Sequence, residues 1–200
     1  PLLKQNQGTV EFWIRMEKLP GGTNQHYAIA NKHDPNGSHN GWNFYHNLEE
    51  FVFVLRDGSN PYRIFSGLNL IDSAWHHIAF TYDLTGTLPC IGYIDGDSIG
   101  AITSGPITIS EQPVIIGRSF GAWWTQFEGE IDEFRIWDHQ RTETEITDQI
   151  GNRSDGTDEG LVMVLNLDEP DSSDTANDGS PNNLNGIAAG DVKLGESQDH

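Results

Sequence analysis

The stretch FEGEIDEFRIW, from Phe127 to Trp137, constrains the fold more than any other. Apolar and charged residues alternate along it with the period of two that belongs to an extended strand. On that pattern Asp132, Phe134 and Ile136 share one face, and Ile131, Glu133, Arg135 and Trp137 share the other. Apolar residues stand on both faces, which predicts a central strand in a sandwich of two sheets. A short helix is predicted directly after it, over residues 142–150. Thr142 and Glu145 have capping-box spacing, Ile146 and Ile150 lie one turn apart, and Gly151 stands where the helix would stop.

The rest of the chain keeps the same rhythm. Gly8 to Arg15, His26 to Asn31, Trp42 to Tyr45, Phe51 to Arg56, Tyr62 to Phe65, part of Asp72 to Asp83, Ile91 to Ile94 and Val114 to Ile116 read as strands. Pro20-Gly21-Gly22, the run HDPNGSHNG from His33 to Gly41, Asp57-Gly58 and Asp95-Gly96 mark loops and tight turns between them. Short strands at this spacing without intervening helices predict an all-β fold, a jelly-roll sandwich of two antiparallel sheets.

Beyond Gly151 the composition changes: a polar linker from Asn152 to Gly160, an apolar strand in LVMVLNLDE from Leu161, and an acidic loop. Leu161, Met163, Leu165 and Leu167 would share one buried face by period two. Residues 152–200 either extend one domain that spans 1–200 or open a following repeat. The first is expected, because a strand this apolar would be sticky in isolation.

Eleven basic residues against thirty acidic ones give a formal charge of −19, which repels nucleic acid and anionic lipid. Such an acidic surface favours cations. No apolar run approaches the roughly 20 residues of a membrane-spanning helix, so no membrane insertion is expected. Cys90 is the single cysteine and is expected to be a small buried hydrophobe. The opening on Pro1 suggests a piece of a longer, secreted polypeptide with flanking domains.

The segments EFWIR, WHHIAFTYD with the hairpin GYIDG, IIGR, and GEIDEFRIWDHQRTETEI follow one another in an order and spacing that resembles bacterial laminin-G-like domains of the concanavalin A-like lectin/glucanase superfamily. The resemblance runs from Gly8 to about Gly151 and implies a jelly roll with one concave face. That superfamily holds both enzymes and binders. Its laminarinase-type glucanases carry an E-x-D-x-x-E strand whose glutamates act as nucleophile and acid/base. Here Glu130 and Asp132 match the first two positions, but the third is Arg135, which cannot give up a proton as a general acid. No enzyme is therefore expected. Turn capping by Asp132 and an ion pair between Glu133 and Arg135 would account for these residues. His76 and His77 are neighbours on a strand and point to opposite faces. The HExxH, CxxC and GxSxG motifs do not occur.

Calcium is the expected cofactor, because hard cations take several oxygens from loops rich in Asp, Asn and Gly. Three stretches have that composition: His33 to Asn40, Asp168 to Asp174 and Asn177 to Asn185. The resemblance implies a rim calcium with one aspartate at the position of Asp34. The second loop that would serve it, Ser119 to Gln126, has no aspartate, so Asn36, Glu128 or carbonyls would complete it. Asp34, Asn36, Asp132, Asp168 and Asp178 are the candidate metal ligands.

Sugar rings stack on exposed aromatic faces while amides, carboxylates and imidazoles take the hydroxyls. Trp123 and Trp124, adjacent in a loop, are the expected platform; Trp13, Trp75 and Trp137 are expected in the core. His39, Asn40 and Trp42 complete the candidate ligand site, at a rim where the 33–42 and 119–126 loops would meet. These residues predict a non-catalytic, calcium-assisted glycan-binding module of a secreted or cell-surface protein, an adhesin or a polysaccharide-degrading enzyme. Its ligand would be a polysaccharide or cell-surface glycan. A structural or protein-contact module without sugar binding is the alternative, and a glucanase-type hydrolase the third reading.

Overall fold

The computed structural model describes residues 3–18, 26–34, 39–58, 60–119, 124–170, 172–190 and 193–195. In chain order the elements are β1 (Gln7–Arg15), β2 (Tyr27–His33), β3 (Gly41–His46), β4 (Phe51–Asp57), β5 (Asn60–Phe65), β6 (Trp75–Asp83), β7 (Cys90–Ile94) and β8 (Asp97–Ile102). Then come β9 (Ile115–Ile116), β10 (Thr125–Gln126), β11 (Glu130–Trp137), α1 (Glu143–Gln149), β12 (Leu161–Leu165), β13 (Thr175–Ala176) and β14 (Gly186–Ile187). The first sheet has the order β12-β11-β1-β6-β7-β8; the second has β10-β2-β3-β4-β5, with β9 also on β2. Two large, mostly antiparallel sheets and one short helix make the jelly-roll sandwich that the alternation predicts. Asp95 and Gly96 both take positive φ, 54° and 89°, as a two-residue hairpin turn requires. Thr142 and Glu145 form both halves of the capping box on α1.

The sheets meet through aromatic rings. Phe12 on β1 lies 5.9 Å from Phe44 on β3, and Phe80 on β6 lies 5.7 Å from Phe44 and 5.6 Å from Phe53. Trp42 stacks on Phe44 at 5.1 Å inside this core.

Along β11 a bulge revises the simple alternation. Arg135 pairs with Glu11 and Asp132 with Trp13, so Glu133 and Phe134 together oppose Phe12. Glu133 takes the extra position with φ 47°, in the left-handed region. The inserted residue reverses facing: Ile131, opposite Ile14, turns toward the core, while Asp132 turns outward beside Trp13. Asp132 thus does not share the face of Phe134 and Ile136. A period-two reading has no means of registering one inserted residue.

The outer face of the first sheet is closed over along β1, β6 and β11 rather than solvated. Glu11 is fully buried there; its carboxylate accepts Arg141 Nη1 at 2.9 and 3.1 Å and Trp137 Nε1 at 2.9 Å. Arg141 lies over the Trp137 ring, 4.1 Å from its centroid, and donates to the carbonyl of Glu145 in α1. Ile146 of α1 packs on Ala79 and Tyr93 of the same face. Trp13 and Trp137 are buried on this outer side, and Trp75 is half-buried beneath the Arg15 guanidinium.

Strand β12 completes the first sheet against β11, and its five residues are all buried. Met163 and Leu165 join the inter-sheet core, whereas Leu161 packs with Val164 on Trp137. A register shift between Ile136 and Trp137 moves Leu161 off the face expected for it. Truncation after Gly151 should remove this cover and expose β11, costing several kcal/mol at about 25 cal/mol per Å² of apolar surface. Thermal melting should show a clear drop; a truncated protein that melts at the full-length temperature would contradict the packing.

His77 supplies a pH dependence. Buried against Trp13 at 5.2 Å and 3.8 Å from the Glu11 carboxylate, it is pushed by burial from 6.5 down to about 4. An unfolded histidine binds its proton first on acidification. The neutral imidazole's contribution is therefore complete above about 6.5 and is lost as pH falls toward 4. The melting temperature should decline through that window, and His77→Gln should make the decline shallower. A variant with the parent's pH profile would show that His77 does not titrate this way.

Candidate functional site

The antiparallel register of the second sheet builds one site from four strands. Cross-strand partners share a face, so Asn31, Asn43, Val54 and Arg63 form one row on its outer side. Ala28, Tyr45, Val52 and Phe65 form a second row, and His33, Gly41, Arg56 and Pro61 a third. Gly41 is obligatory in its place: φ is 126°, and a Cβ would stand 1.9 Å from the Lys32 carbonyl oxygen.

Trp124 folds onto this face. Its ring packs with Tyr45, Val52 and Val54, lying 5.4 Å from Tyr45 and 6.1 Å from the exposed His26, which in turn is 5.4 Å from Tyr45. Next to this trio, Asn31 and Asn43 are 1% and 2% exposed. Asn31 donates through Nδ2 to the Arg118 carbonyl at 2.7 Å, yet Asn31 Oδ1, Asn43 Oδ1 and His33 Nδ1 have no hydrogen-bond partner among the described residues. A buried acceptor without a donor costs on the order of 1–3 kcal/mol, so the two amide oxygens side by side point to a donor-bearing ligand or ordered water. Burial first, then the neighbouring Arg56 and His39, hold His33 neutral by lowering it to about 4.

The sequence-predicted ligand residues disperse. Trp42 is 1% exposed and belongs to the core, which removes it from the ligand site. Asn40 accepts the Gly58 N–H at 2.8 Å through Oδ1 and so ties one hairpin to the next. His39 is exposed at the tip of the β2–β3 hairpin with φ 55°. Trp124 lies at the other end of β2, because Thr125 pairs with Tyr27. Six residues of strand, about 20 Å, separate the two loops, so His39 and Trp124 do not form one rim. Trp123 and Asn36 lie outside the described residues. Asn31 and Asn43, which the sequence did not mark, sit in strands where each reads as an ordinary outward position, and His33, read there as the start of a loop, is the last residue of β2. Only the hairpin register brings them together.

The predicted metal ligands also lie apart, and no three His, Cys, Asp or Glu side chains gather among the described residues. Both oxygens of Asp178 are engaged by the N–H groups of Val164, Ser180 and Leu184 and by the Ser180 hydroxyl, at 2.8–3.0 Å, which makes it a loop organiser rather than a free ligand. Asp132 accepts the Glu133 N–H at 2.7 Å, and Glu133 pairs with Arg135, as the capping and ion-pair reading expects. The half-buried Asp34 belongs to the hairpin stem, its N–H donating to the Asn40 carbonyl at 3.3 Å. Asp168 differs. One oxygen meets Arg153, while Oδ1, together with Asn166 Oδ1 and Glu169 Oε2, is buried without a hydrogen-bond partner among the described residues. Two carboxylates and an amide oxygen within four residues are the donor chemistry that calcium takes.

A crevice of about 830 Å³ opens between the sheets near β9, β11 and β12, lined by core residues such as Ile116, Phe127, Met163 and Leu165. Its lining is mainly apolar, with Arg118, Gln126, Glu130, Asp132, Asn185 and Lys193 at polar positions. Glu130 is paired with Arg15.

The sequence matches a family model described as the concanavalin A-like lectin/glucanases superfamily over residues 1–147. The chain belongs to that superfamily. No curated protein matches it. Among solved structures, a candidate carbohydrate-binding protein from Bacteroides ovatus is 21% identical with a TM-score of 0.71, covering 97% of this chain and 56% of that one. The ligand binding domain of botulinum neurotoxin serotype D, solved with N-acetylneuraminic acid, is 15% identical with a TM-score of 0.56, covering 71% and 35%. A pentraxin from Limulus polyphemus is 17% identical with a TM-score of 0.56, covering 72% and 70%. At these identities the likeness is one of fold, and this chain spans 56% and 35% of the first two. No helix among the described residues is long and apolar enough to cross a membrane.

Proposed function

We propose that this chain is a non-catalytic glycan-binding module of a secreted or cell-surface protein, and that it binds sugar on the outer face of the second sheet. The observation that carries this reading is the Trp124–Tyr45–His26 ring group beside the unpartnered oxygens of Asn31 and Asn43. An aromatic platform next to a few fixed polar groups is what a pyranose ring needs. The lectin-like superfamily and the binding proteins among its structural neighbours agree with it. A polysaccharide or surface glycan as ligand accounts for an extracellular location. Catalysis has no support on the first sheet, where Arg135 occupies the third position of the glucanase pattern and pairs with Glu133.

Trp124→Ala should abolish binding to whichever glycan an array identifies, with only a small change in melting temperature, because the ring is half-buried on a face rather than in the inter-sheet core. Undiminished binding by that variant would move the site elsewhere. A chain that binds nothing on the array would favour the structural or protein-contact role.

Calcium enters as a stabiliser. Asn166, Asp168 and Glu169 would hold it, and its charge would offset two neighbouring carboxylates beside the end of β12. A cation bound only by the folded state adds about 2.7 kcal/mol at a hundredfold excess over its dissociation constant. Millimolar calcium should raise the melting temperature, a chelator should reverse it, and Asp168→Asn should remove the response while Asp34→Asn keeps it. Coincident melts in calcium and chelator would leave these loops as solvated acid.

A further inference from the structure

The outer face of the second sheet carries two arginines that the sugar platform does not use. Arg56 on β4 is opposite Pro61, and Arg63 on β5 is two residues beyond Pro61 on the same face. Diagonal neighbours of this kind have Cα atoms about 7–8 Å apart. Thirty acidic residues are available to eleven basic ones, and Lys4, Arg15, Lys18, Arg135, Arg141 and Arg153 each meet a carboxylate. Arg56 and Arg63 meet none among the described residues, although Arg56 is half-buried. Burial, and then the like charge of Arg63, lower the Arg56 pKa. Two arginines at diagonal positions on one face, without a carboxylate partner among the described residues, form a ready anion seat, since each offers a planar fork of donors.

Asn43 lies in the same row as Arg63, and Tyr45 and Val52 lie in the next row, toward Trp124. One ligand could therefore lay a ring on the aromatic group while its charged substituent reaches the arginines. We propose that the glycan bound here is anionic, its carboxylate or sulfate ester seated between Arg56 and Arg63. This rests on the glycan-binding reading above. The overall charge of −19 does not forbid it. At physiological ionic strength, exposed charges beyond about 8 Å are largely screened, so the local pair governs contact.

The test is titration calorimetry of the full chain with three oligosaccharide classes: neutral β-glucan and galactan, carboxylated oligogalacturonate and oligoalginate, and sulfated carrageenan and chondroitin sulfate oligomers. The parent is compared with Arg63→Gln, Arg63→Lys and the Arg56→Gln/Arg63→Gln pair, each first checked by melting curve. The expected result is binding to a carboxylated or a sulfated class, which tells the two anions apart. It expects affinity to fall about tenfold or more in Arg63→Gln, to be partly kept in Arg63→Lys, and to weaken with added salt. Arg63 is exposed, so its variants keep the test valid even if the pair fails to fold. Neutral glycans bound as tightly as acidic ones, or acidic binding indifferent to Arg63→Gln, would overturn the anion seat and leave the glycan module standing. No binding to any class would overturn both.

Discussion

The buried carboxylate of Glu11 is the interaction on which the rest of the molecule depends. An ionised group taken fully out of water is tolerated only when charges and donors surround it. Here Arg141 and Trp137 bind it directly, and Arg135 stands 3.6 Å away. These partners come from β11 and from the turn that leads into α1, so one side chain on β1 fixes the neighbouring strand and the helix together. Removing it would leave the buried Arg141 without a carboxylate partner, the case in which a buried ion pair is most costly to break.

This closure divides the labour between the two sheets. The outer face of the first is occupied by the Glu11 lattice and by Ile146 of α1, and the glucanase-like positions on β11 are spent on pairs with Arg15 and within the bulge. The second sheet has the opposite character. Its outer side combines rings, unpaired amide oxygens and uncompensated arginines, groups that gain little from one another and much from a partner. The proposed recognition role rests on this contrast between the two faces.

The fold was largely legible in the sequence, because alternation, Asp-Gly turns and a capping box are local signals, and β1, β6, β11 and α1 appear close to where those signals place them. The bulge at Glu133 was not, since a single inserted residue leaves no mark on composition but reverses every side chain before it. The candidate site was legible only in part. Trp124 stood out as a loop aromatic, but Trp42 carries the same chemistry and proves to be core, because facing within β3 depends on the sheet that pairs with it. Asn31 and Asn43 are twelve positions apart and become a pair only through the register of β2 and β3. Acidic loops misled in the same way. Asp178 and Asp168 look alike in sequence, but backbone donors saturate the first and leave one oxygen of the second without a donor.

The central claim, that the outer face of the second sheet is the receptive one, is tested most directly by NMR on the labelled chain during titration with a bound oligosaccharide. The side-chain amide signals of Asn31 and Asn43 and the indole signal of Trp124 should shift together and saturate at one ligand concentration, while the Trp137 indole stays still. Shifts confined to Trp137, or to methyl groups of the inter-sheet crevice such as Met163 and Leu165, would contradict it.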